Sequence, residues 1–282
     1  MINLKPRSVY NKIDEFHDLV SELQVDLVFM SESWEPESLT LDQIIDLENY
    51  KVISNVYQRT GMGGRPALII NEKKYIVQNL TNTLVTIPYG VEITWAILTP
   101  KQISPTSVIK KIAVASIYSK PKSRKKTLLL DHISETYHML CSKYQSGLHF
   151  ILAGDTNDLK LDSILNLSPN LKQIVTSATQ DTRILDPIIT TLAKYYQSPV
   201  CLPPLDNDPD KNGVPSDHKI VFMKAVDAIN NNPARTKKAV KFWPLPESGI
   251  RDMGNWIVNY NWDPVMKAET AHEKLTSSKI SC

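Results

Sequence analysis

The sequence predicts an α/β protein, because amphipathic helix patterns alternate with short apolar runs of strand length. Apolar residues recur with the 3.6-residue period of a helix at residues 8–23, where Ser8 is the candidate N-cap, and again at residues 127–144. The short runs between these helices are bounded by turn residues, which is typical of antiparallel strands. With 282 residues, 42% of them hydrophobic, the chain can bury a sizeable core.

The predicted strands of the first half occupy residues 25–30, 50–56, 66–71, 75–79, 91–98 and 109–118. Turn signals separate them, the clearest being the Gly-Met-Gly-Gly sequence at residues 61–64. His132 and His138 lie on the second helix. Their six-residue spacing does not suit paired metal ligands on one helix face, so we interpret both as surface or core residues.

The most informative stretch is an apolar run that stops abruptly in polar residues. Phe150-Ile151-Leu152-Ala153 leads into Gly154-Asp155-Thr156-Asn157, so a buried strand delivers an acid and an amide at its carboxyl end. Such strand ends often carry hydrolytic sites, because the rigid sheet fixes the positions of the side chains.

The second half of the chain adds two more polar positions at strand ends. A short helix is predicted at residues 162–167, and strands at residues 171–175 and 183–190. Asp186 lies within the last of these apolar runs, where an acid is costly unless it is paired or belongs to a site. A loop at residues 197–215 then delivers Ser216-Asp217-His218 onto a final strand at residues 219–223.

The composition changes after the last predicted strand, and it predicts one domain at residues 1–226 followed by a partly disordered linker and tail at residues 227–282. The formal net charge of +2 neither requires nor excludes a polyanionic partner. Three widely spaced cysteines argue against a zinc site or a disulfide framework. We find neither a signal-peptide pattern nor a membrane-length apolar run, and we expect a soluble, intracellular protein without membrane association.

The polar groups at the strand ends form one candidate site. Several carboxylates together with one histidine suit a hard cation such as Mg²⁺, which binds oxygen ligands and substrate phosphate. A histidine held by an adjacent acid could take a proton from water or stabilise an oxyanion. These are the parts needed for phosphoester hydrolysis. The residues concerned are Glu32, Asp155, Asn157, Asp186, Asp217 and His218.

Five motifs in this order resemble the endonuclease/exonuclease/phosphatase superfamily, the fold of apurinic/apyrimidinic endonucleases and DNase I. The residues of these motifs are most similar to those of the endonuclease domains of non-LTR (LINE-like) retrotransposons. Residues 7–14 resemble the short opening motif of these domains. The resemblance covers residues 3–226 and implies a four-layered α/β sandwich of two packed mixed or antiparallel sheets flanked by helices. The motifs are Ser31-Glu32-Ser33-Trp34, Ser116-Ile117-Tyr118, Gly154-Asp155-Thr156-Asn157, Leu185-Asp186-Pro187-Ile188-Ile189-Thr190 and Ser216-Asp217-His218.

The resemblance also implies a cation site, with Mg²⁺ as the cofactor and Mn²⁺ as an alternative. Glu32 looks like the principal metal ligand, and Asp217 is similar to a second acid near the metal. The family carries an asparagine close to the Arg-Ser pair of the opening motif. Here Lys5 stands two residues before Arg7, and Asn3 lies two positions further upstream. Asn3 is therefore a candidate ligand, and this departure leaves open which of the two residues fills the position.

The remaining roles follow from the same resemblance. Asp155 would position or deprotonate the attacking water, or protonate the leaving oxygen. Asn157 and Tyr118 would hold the scissile phosphate. His218, oriented by Asp186, would stabilise the phosphorane or act as a base. Taken singly, several of these residues have structural explanations as well, such as a turn residue for Asn157 or a strand aromatic for Tyr118.

The function implied is a metal-dependent DNA endonuclease that nicks its target and leaves a 3′-hydroxyl for reverse transcription. We then expect a monomer that acts in the nucleus, as part of a longer polyprotein with a reverse transcriptase. The tail supports this, because residues 243–246 and 261–264 resemble the linker that follows the endonuclease in such elements. The densest basic run is either a solvated loop or a DNA backbone contact formed by Lys120, Lys122, Arg124, Lys125 and Lys126.

Two alternatives remain at the level of the sequence. The same fold includes phosphatases and phosphodiesterases that act on inositol phosphates or lipid head groups. The departure at Lys5 also allows a catalytically inactive nucleic-acid-binding module.

Overall fold

A computed structural model describes residues 1–34, 38–55, 65–102, 107–205 and 216–226. The predicted glycine turn at residues 61–64 lies outside the described residues. So does the predicted linker and tail at residues 227–282 with its two linker-like motifs, and the domain boundary before it therefore stays a prediction.

The first of two six-stranded sheets, which we call sheet one, has the strand order β11-β12-β1-β2-β4-β3. Its strand β1 runs parallel to β2 and antiparallel to β12, and β4 pairs antiparallel with both β2 and β3. The strands are β1 (Ile2–Leu4), β2 (Leu27–Met30), β3 (Tyr50–Ser54), β4 (Ala67–Asn71), β11 (Val200–Leu202) and β12 (Ile220–Phe222).

The second sheet, sheet two, has the order β5-β6-β7-β8-β10-β9. Only β7 and β8 are parallel in it, and their register pairs Tyr118 with Asp155. The strands are β5 (Tyr75–Asn79), β6 (Glu92–Pro100), β7 (Lys111–Tyr118), β8 (Leu148–Asp155), β9 (Lys172–Gln173) and β10 (Ile188–Thr190).

The two sheets pack face to face between two layers of helices, which confirms the predicted four-layered α/β sandwich. The helices are α1 (Ile13–Glu22), α2 (Leu41–Ile45), α3 (Lys126–Tyr144) and α4 (Asp162–Leu165). Phe16 and Val20 of α1 pack on the outer face of sheet one. Leu129 and Ile133 of α3 pack on the outer face of sheet two. A third apolar cluster, which includes Phe29, fills the space between the sheets.

Strand alternation decides which side chains reach the other sheet. In β1, Ile2 and Leu4 face the helix layer, so Asn3 and then Lys5 face sheet two. In β8, Ile151 and Ala153 lie in the cluster between the sheets, so Asp155 faces sheet one. The carboxyl ends of these buried strands therefore meet across the sandwich.

Three local predictions were wrong. Ser8 is not a helix cap, because its φ is 78° and its backbone N–H donates to Glu32 O, while a 3-10 turn starts at Tyr10. Of the strand at residues 183–190, only Ile188–Thr190 pairs in the sheet. The backbone N–H groups of Leu185 and Asp186 donate instead to Thr179 Oγ1.

The third error concerns the loop at residues 197–215, since Val200–Leu202 forms the edge strand β11. The sequence patterns also did not predict β1 or α2. Strand β1 has three residues and α2 has five, which is too short for a period to be recognised.

Candidate functional site

The candidate site lies where β1 and β2 of sheet one meet β7 and β8 of sheet two. Lys5 follows β1, Glu32 follows β2, and Tyr118 and Asp155 are the last residues of β7 and β8. Glu32 has a φ of 55°, and its carbonyl oxygen accepts a hydrogen bond from Ser8 N–H. The loops after β1 and β2 are thus hydrogen-bonded to each other, which keeps Lys5 beside Glu32.

Lys5 lies at the centre of this cluster, with only 7% of its surface exposed. Its Nζ lies 2.8 Å from Asp155 Oδ2 and 3.3 Å from Glu32 Oε1. The same nitrogen lies 3.2 Å from His218 Nε2. Burial disfavours the charged form, but attraction to Asp155 and Glu32 outweighs this and raises the pKa of Lys5 above its ordinary value. The side chain is therefore an ammonium at neutral pH.

His218 is buried and is held from both sides. Its Nδ1 lies 2.7 Å from Asp186 Oδ2, and its Nε2 faces the Lys5 ammonium. An ammonium can only donate, so Nε2 must accept. The imidazole is then neutral, with its proton on Nδ1 and donated to Asp186. This arrangement fixes both the tautomer and the ring orientation.

Asp155 is fully buried and is held by Asn157 and by Lys5. Its Oδ1 accepts hydrogen bonds from the backbone N–H and the Nδ2 of Asn157, the latter at 2.7 Å. Asn157 Nδ2 also donates to Ser119 O. Burial raises the pKa of Asp155, with a further contribution from Asp186, while Lys5 and His218 act in the opposite direction.

Tyr118 is buried beside the Glu32 carboxylate. Burial first, and then the negative charge of Glu32, raise the pKa of its hydroxyl well above the ordinary value. The hydroxyl therefore keeps its proton at physiological pH and can donate a hydrogen bond. This is the property required of a residue that holds a phosphate oxygen.

The other two predicted ligands lie at the margin of the cluster. Asn3 is fully buried on β1, and its Nδ2 donates to Gly154 O at 3.4 Å, while its Oδ1 has no hydrogen-bond partner among the described residues. The side chain of Asp217 is 40% exposed and lies 3.1 Å from Arg7 Nη2. Gln180 Nε2 also donates to Asp217. Of the two candidates for the asparagine position, Lys5 is thus the one that contacts Glu32, and Asn3 contacts the opposite sheet.

No protein-family model and no curated protein matches the sequence. Solved structures match it well. The endonuclease domain of TRAS1, a telomere-specific non-LTR retrotransposon, aligns with a TM-score of 0.55 at 12% identity, over 79% of this chain and 96% of that one. The AP endonuclease LMAP from Leishmania major aligns with a TM-score of 0.55 at 16% identity, over 79% and 86% of the two chains. The 3′ phosphatase NExo from Neisseria, bound to a product DNA hairpin, aligns with a TM-score of 0.52 at 12% identity, over 80% and 98%.

The chain has the endonuclease/exonuclease/phosphatase fold. At these identities the likeness concerns the fold, and what each of the three proteins acts on is a property of that protein. Within this fold, the predicted site residues Glu32, Tyr118, Asp155, Asp186 and His218 come together in one buried cluster. Their chemical roles stay predictions.

The fit of a divalent cation depends on where it is placed. Asp155, Asp186 and His218 offer ligand atoms within 4.8 Å of one another, so by spacing alone this buried group could hold an ion. At Glu32, where the resemblance places the metal, the residues do not fit one. An ion at ~2.1 Å from the carboxylate oxygens would lie next to the Lys5 ammonium, and the two cations would repel each other.

The basic run forms the loop between Tyr118 and α3, directly beside the cluster. Four of its charged side chains are exposed, whereas Lys126 forms an ion pair with Asp158, next to Asn157. The exposed residues are Lys120, Lys122, Arg124 and Lys125. Within the part of the chain that the structure describes, no helix is long and apolar enough to cross a membrane.

Two members of the cluster were not assigned a role from the sequence. Lys5 was noticed only as a departure from the family pattern, and a lysine is seldom expected inside a buried site. Arg7 connects Glu32, at 3.9 Å, with Asp217, at 3.1 Å. The Arg-Ser pair of the opening motif singled out Arg7 in the sequence. It did not indicate which acids Arg7 would contact.

Proposed function

We propose that this chain is a phosphodiester hydrolase that nicks DNA. The observation that carries the proposal is the buried His218–Asp186 pair, whose neutral imidazole lies at one edge of the sandwich with Asp155 and Lys5. A neutral histidine oriented by a carboxylate is a suitable base for activating water. Tyr118 and Asn157 lie in the same cluster and supply a hydroxyl and an amide that can contact a phosphate.

The proposed reaction is hydrolysis of one strand. Water replaces the direct contact between Lys5 and His218 and attacks phosphorus while His218 Nε2 takes a proton from it. Asp186 stabilises the imidazolium that results. The bond between phosphorus and the 3′ oxygen breaks. This oxygen takes a proton from the Lys5 ammonium, which Asp155 orients, and the His218 imidazolium then returns a proton to the Lys5 amine. The products are a 3′-hydroxyl and a 5′-phosphate, and both residues are restored.

DNA is the proposed substrate because the exposed basic loop at residues 120–125 directly follows Tyr118 of the site. Lysine and arginine side chains on such a loop can neutralise backbone phosphates on either side of the cut. Nicking of nuclear DNA for retrotransposition is the corresponding biological role, and it is in keeping with the likeness to the TRAS1 endonuclease domain. The resemblance implies Mg²⁺ or Mn²⁺ as the cofactor, but the Lys5 ammonium lies beside Glu32, where that ion would bind, so no step of the proposed reaction depends on a metal ion.

The test is to incubate the protein with supercoiled plasmid in Mg²⁺, in Mn²⁺ and in EDTA. We expect open circles that DNA ligase reseals, because ligation needs a 3′-hydroxyl and a 5′-phosphate. His218→Ala should lower the nicking rate by at least ~100-fold. The absence of nicking above the His218→Ala background in all three conditions would refute the proposed activity.

A second candidate function is favoured by the position of Lys5. If the ammonium only fills the site, the chain is a catalytically inactive DNA-binding module. Salt-sensitive DNA binding would then persist. Neither metal nor the His218→Ala change would alter the plasmid.

A further inference from the structure

The ammonium of Lys5 has three close polar neighbours inside the cluster. An ammonium has three N–H donors and no acceptor. Lys5 Nζ has three partners within reach, at 2.8 Å, 3.2 Å and 3.3 Å. They are Asp155 Oδ2, His218 Nε2 and Glu32 Oε1. Two of the partners are carboxylates and the third is an imidazole lone pair, and all of these are groups that bind cations.

The backbone holds Lys5 in this position. Ser216 Oγ donates to Lys5 O at 2.6 Å, which connects it to the segment that carries His218. On the preceding residue, Leu4 O accepts from Ser31 N–H next to Glu32. Pro6 follows directly and favours an extended backbone at Lys5. The ammonium is therefore anchored at the centre of the site, in contrast to a surface lysine that swings through solvent.

We propose that the Lys5 ammonium is the built-in cation of this site, which neutralises the scissile phosphate of DNA in place of a divalent metal ion. The proposal rests on the proposed function for its substrate. It makes a distinct claim about the cation: the site that Glu32 provides has low affinity for divalent ions because Lys5 already fills it.

The contacts show how a phosphate could enter. The distance from Lys5 Nζ to Glu32 is the longest of the three, so a phosphate oxygen would replace that contact first. Glu32 would not be left without a positive neighbour, because Arg7 Nε lies 3.9 Å from its Oε2. The protonated Tyr118 hydroxyl lies against the same carboxylate and could turn to a phosphate oxygen.

The first test measures metal binding by the whole 282-residue chain, without any substrate. Mn²⁺ is titrated into the wild type, Lys5→Asn and Lys111→Asn, and free Mn²⁺ is followed by electron paramagnetic resonance. Lys111→Asn is the matched control, since Lys111 is a half-buried lysine at the opposite end of β7. Lys5→Asn removes the ammonium and offers an oxygen ligand. We expect it to bind Mn²⁺ at least ~10-fold more tightly than the other two proteins.

The contrary result is saturable Mn²⁺ binding by the wild type in the micromolar range, unchanged in Lys5→Asn. That outcome would overturn the proposal, because it would mean that the ammonium does not compete with the ion. The near-ultraviolet circular dichroism of each variant is compared with the wild type first. If Lys5→Asn does not fold, the wild type still decides: tight binding overturns the proposal, and binding no tighter than millimolar supports it.

The second test separates this proposal from the proposed function. Nicking by the wild type that persists in EDTA, and that Lys5→Asn makes dependent on Mn²⁺, supports a built-in cation. Nicking by the wild type that EDTA abolishes overturns it. If no condition yields nicks, the proposed function fails, and the Mn²⁺ titration still decides whether Lys5 excludes the ion.

Discussion

Sheet one and sheet two contribute different chemistry to the same cluster. Sheet one and its loops supply the basic groups Lys5 and His218 together with the acid Glu32, whereas sheet two and its loops supply the acids Asp155 and Asp186. The two closest polar contacts between the sheets at the site each join a basic group to a carboxylate, at 2.8 Å and 2.7 Å. A buried charge is tolerated only when it is paired. Each sheet therefore carries groups that the other must neutralise, and neither could form the site alone.

Gly154→Ala should have the largest effect, because it disturbs the end of sheet two. Gly154 has a φ of 140°, and a Cβ there would lie 1.9 Å from Ile117 O. We expect a loss of ~3–5 kcal/mol in the free energy of unfolding, measured with denaturant. Gly90→Ala is the control, since its nearest neighbour is the flexible Lys125 side chain at 3.4 Å, and it should lose only ~1 kcal/mol. Equal losses would contradict this explanation.

Asp186→Asn keeps the size of the sheet-two partner of His218 but removes its charge. An amide can donate to Nδ1 and so favour the wrong tautomer, with the proton on the nitrogen that faces Lys5. We expect the nicking rate to fall by about 100- to 1000-fold, or ~3–4 kcal/mol, while DNA affinity stays unchanged. A rate within a few-fold of the wild type would show that the pair does not orient the base.

The outer face of sheet two should show its own pH dependence, since Trp95 Nε1 on β6 donates to His132 Nε2 on α3. Burial lowers the pKa of His132 from 6.5 to about 4. In the unfolded chain His132 takes up a proton below pH 6.5, whereas in the folded chain it does so only near pH 4. Its contribution is thus complete above pH 6.5 and is lost as the pH falls towards 4, by ~3 kcal/mol in total.

The measurement is the free energy of unfolding between pH 7 and pH 4. His132→Gln keeps an acceptor for Trp95 but does not titrate, so the dependence should become shallower. His138→Gln is the control, because His138 is exposed on the same helix. Identical pH profiles for all three proteins would show that His132 is not responsible.

The smallest effect is expected from the basic loop after β7. Lys122→Ala should weaken DNA binding modestly and lower the salt dependence of log Kd by ~1, which corresponds to one phosphate contact. Lys172→Ala, an exposed lysine on the edge strand β9, should leave both unchanged. Equal behaviour of the two variants in fluorescence anisotropy titrations at several salt concentrations would argue against a DNA contact by this loop.

The comparison between the sheets also explains what could be predicted from the sequence. Sheet two is built mainly from long strands, such as β6 to β8. Their apolar runs predict strands, and the ends of β7 and β8 identify Tyr118 and Asp155 as strand-end residues. Ordered motifs then predicted that Glu32, Asp186 and His218 belong to the same cluster. These features are local, and each depends on a few consecutive residues.

What could not be predicted depends on contacts between distant segments. Strand β1 has three residues, and its place beside β12 is set by pairing across more than two hundred positions. The burial of Lys5 follows from that pairing and from the carboxylates it meets. Residues 183–187 contain enough apolar residues to suggest a strand. However, the backbone N–H groups of Leu185 and Asp186 donate to Thr179 Oγ1 and not to a neighbouring strand.

The position of β1 in the middle of sheet one affects the order in which parts of the protein can fold. Strands β5 to β8 are close in sequence and can pair early, since contacts between nearby segments form fastest. Lys5 and His218 are 213 positions apart, and the N-terminal ammonium of Met1 donates a hydrogen bond to Met223 O. In a nascent chain β1 can pair with β2 early, but its pairing with β12 must wait until β12 has emerged from the ribosome. We expect the site to be the last part of the domain to form during translation.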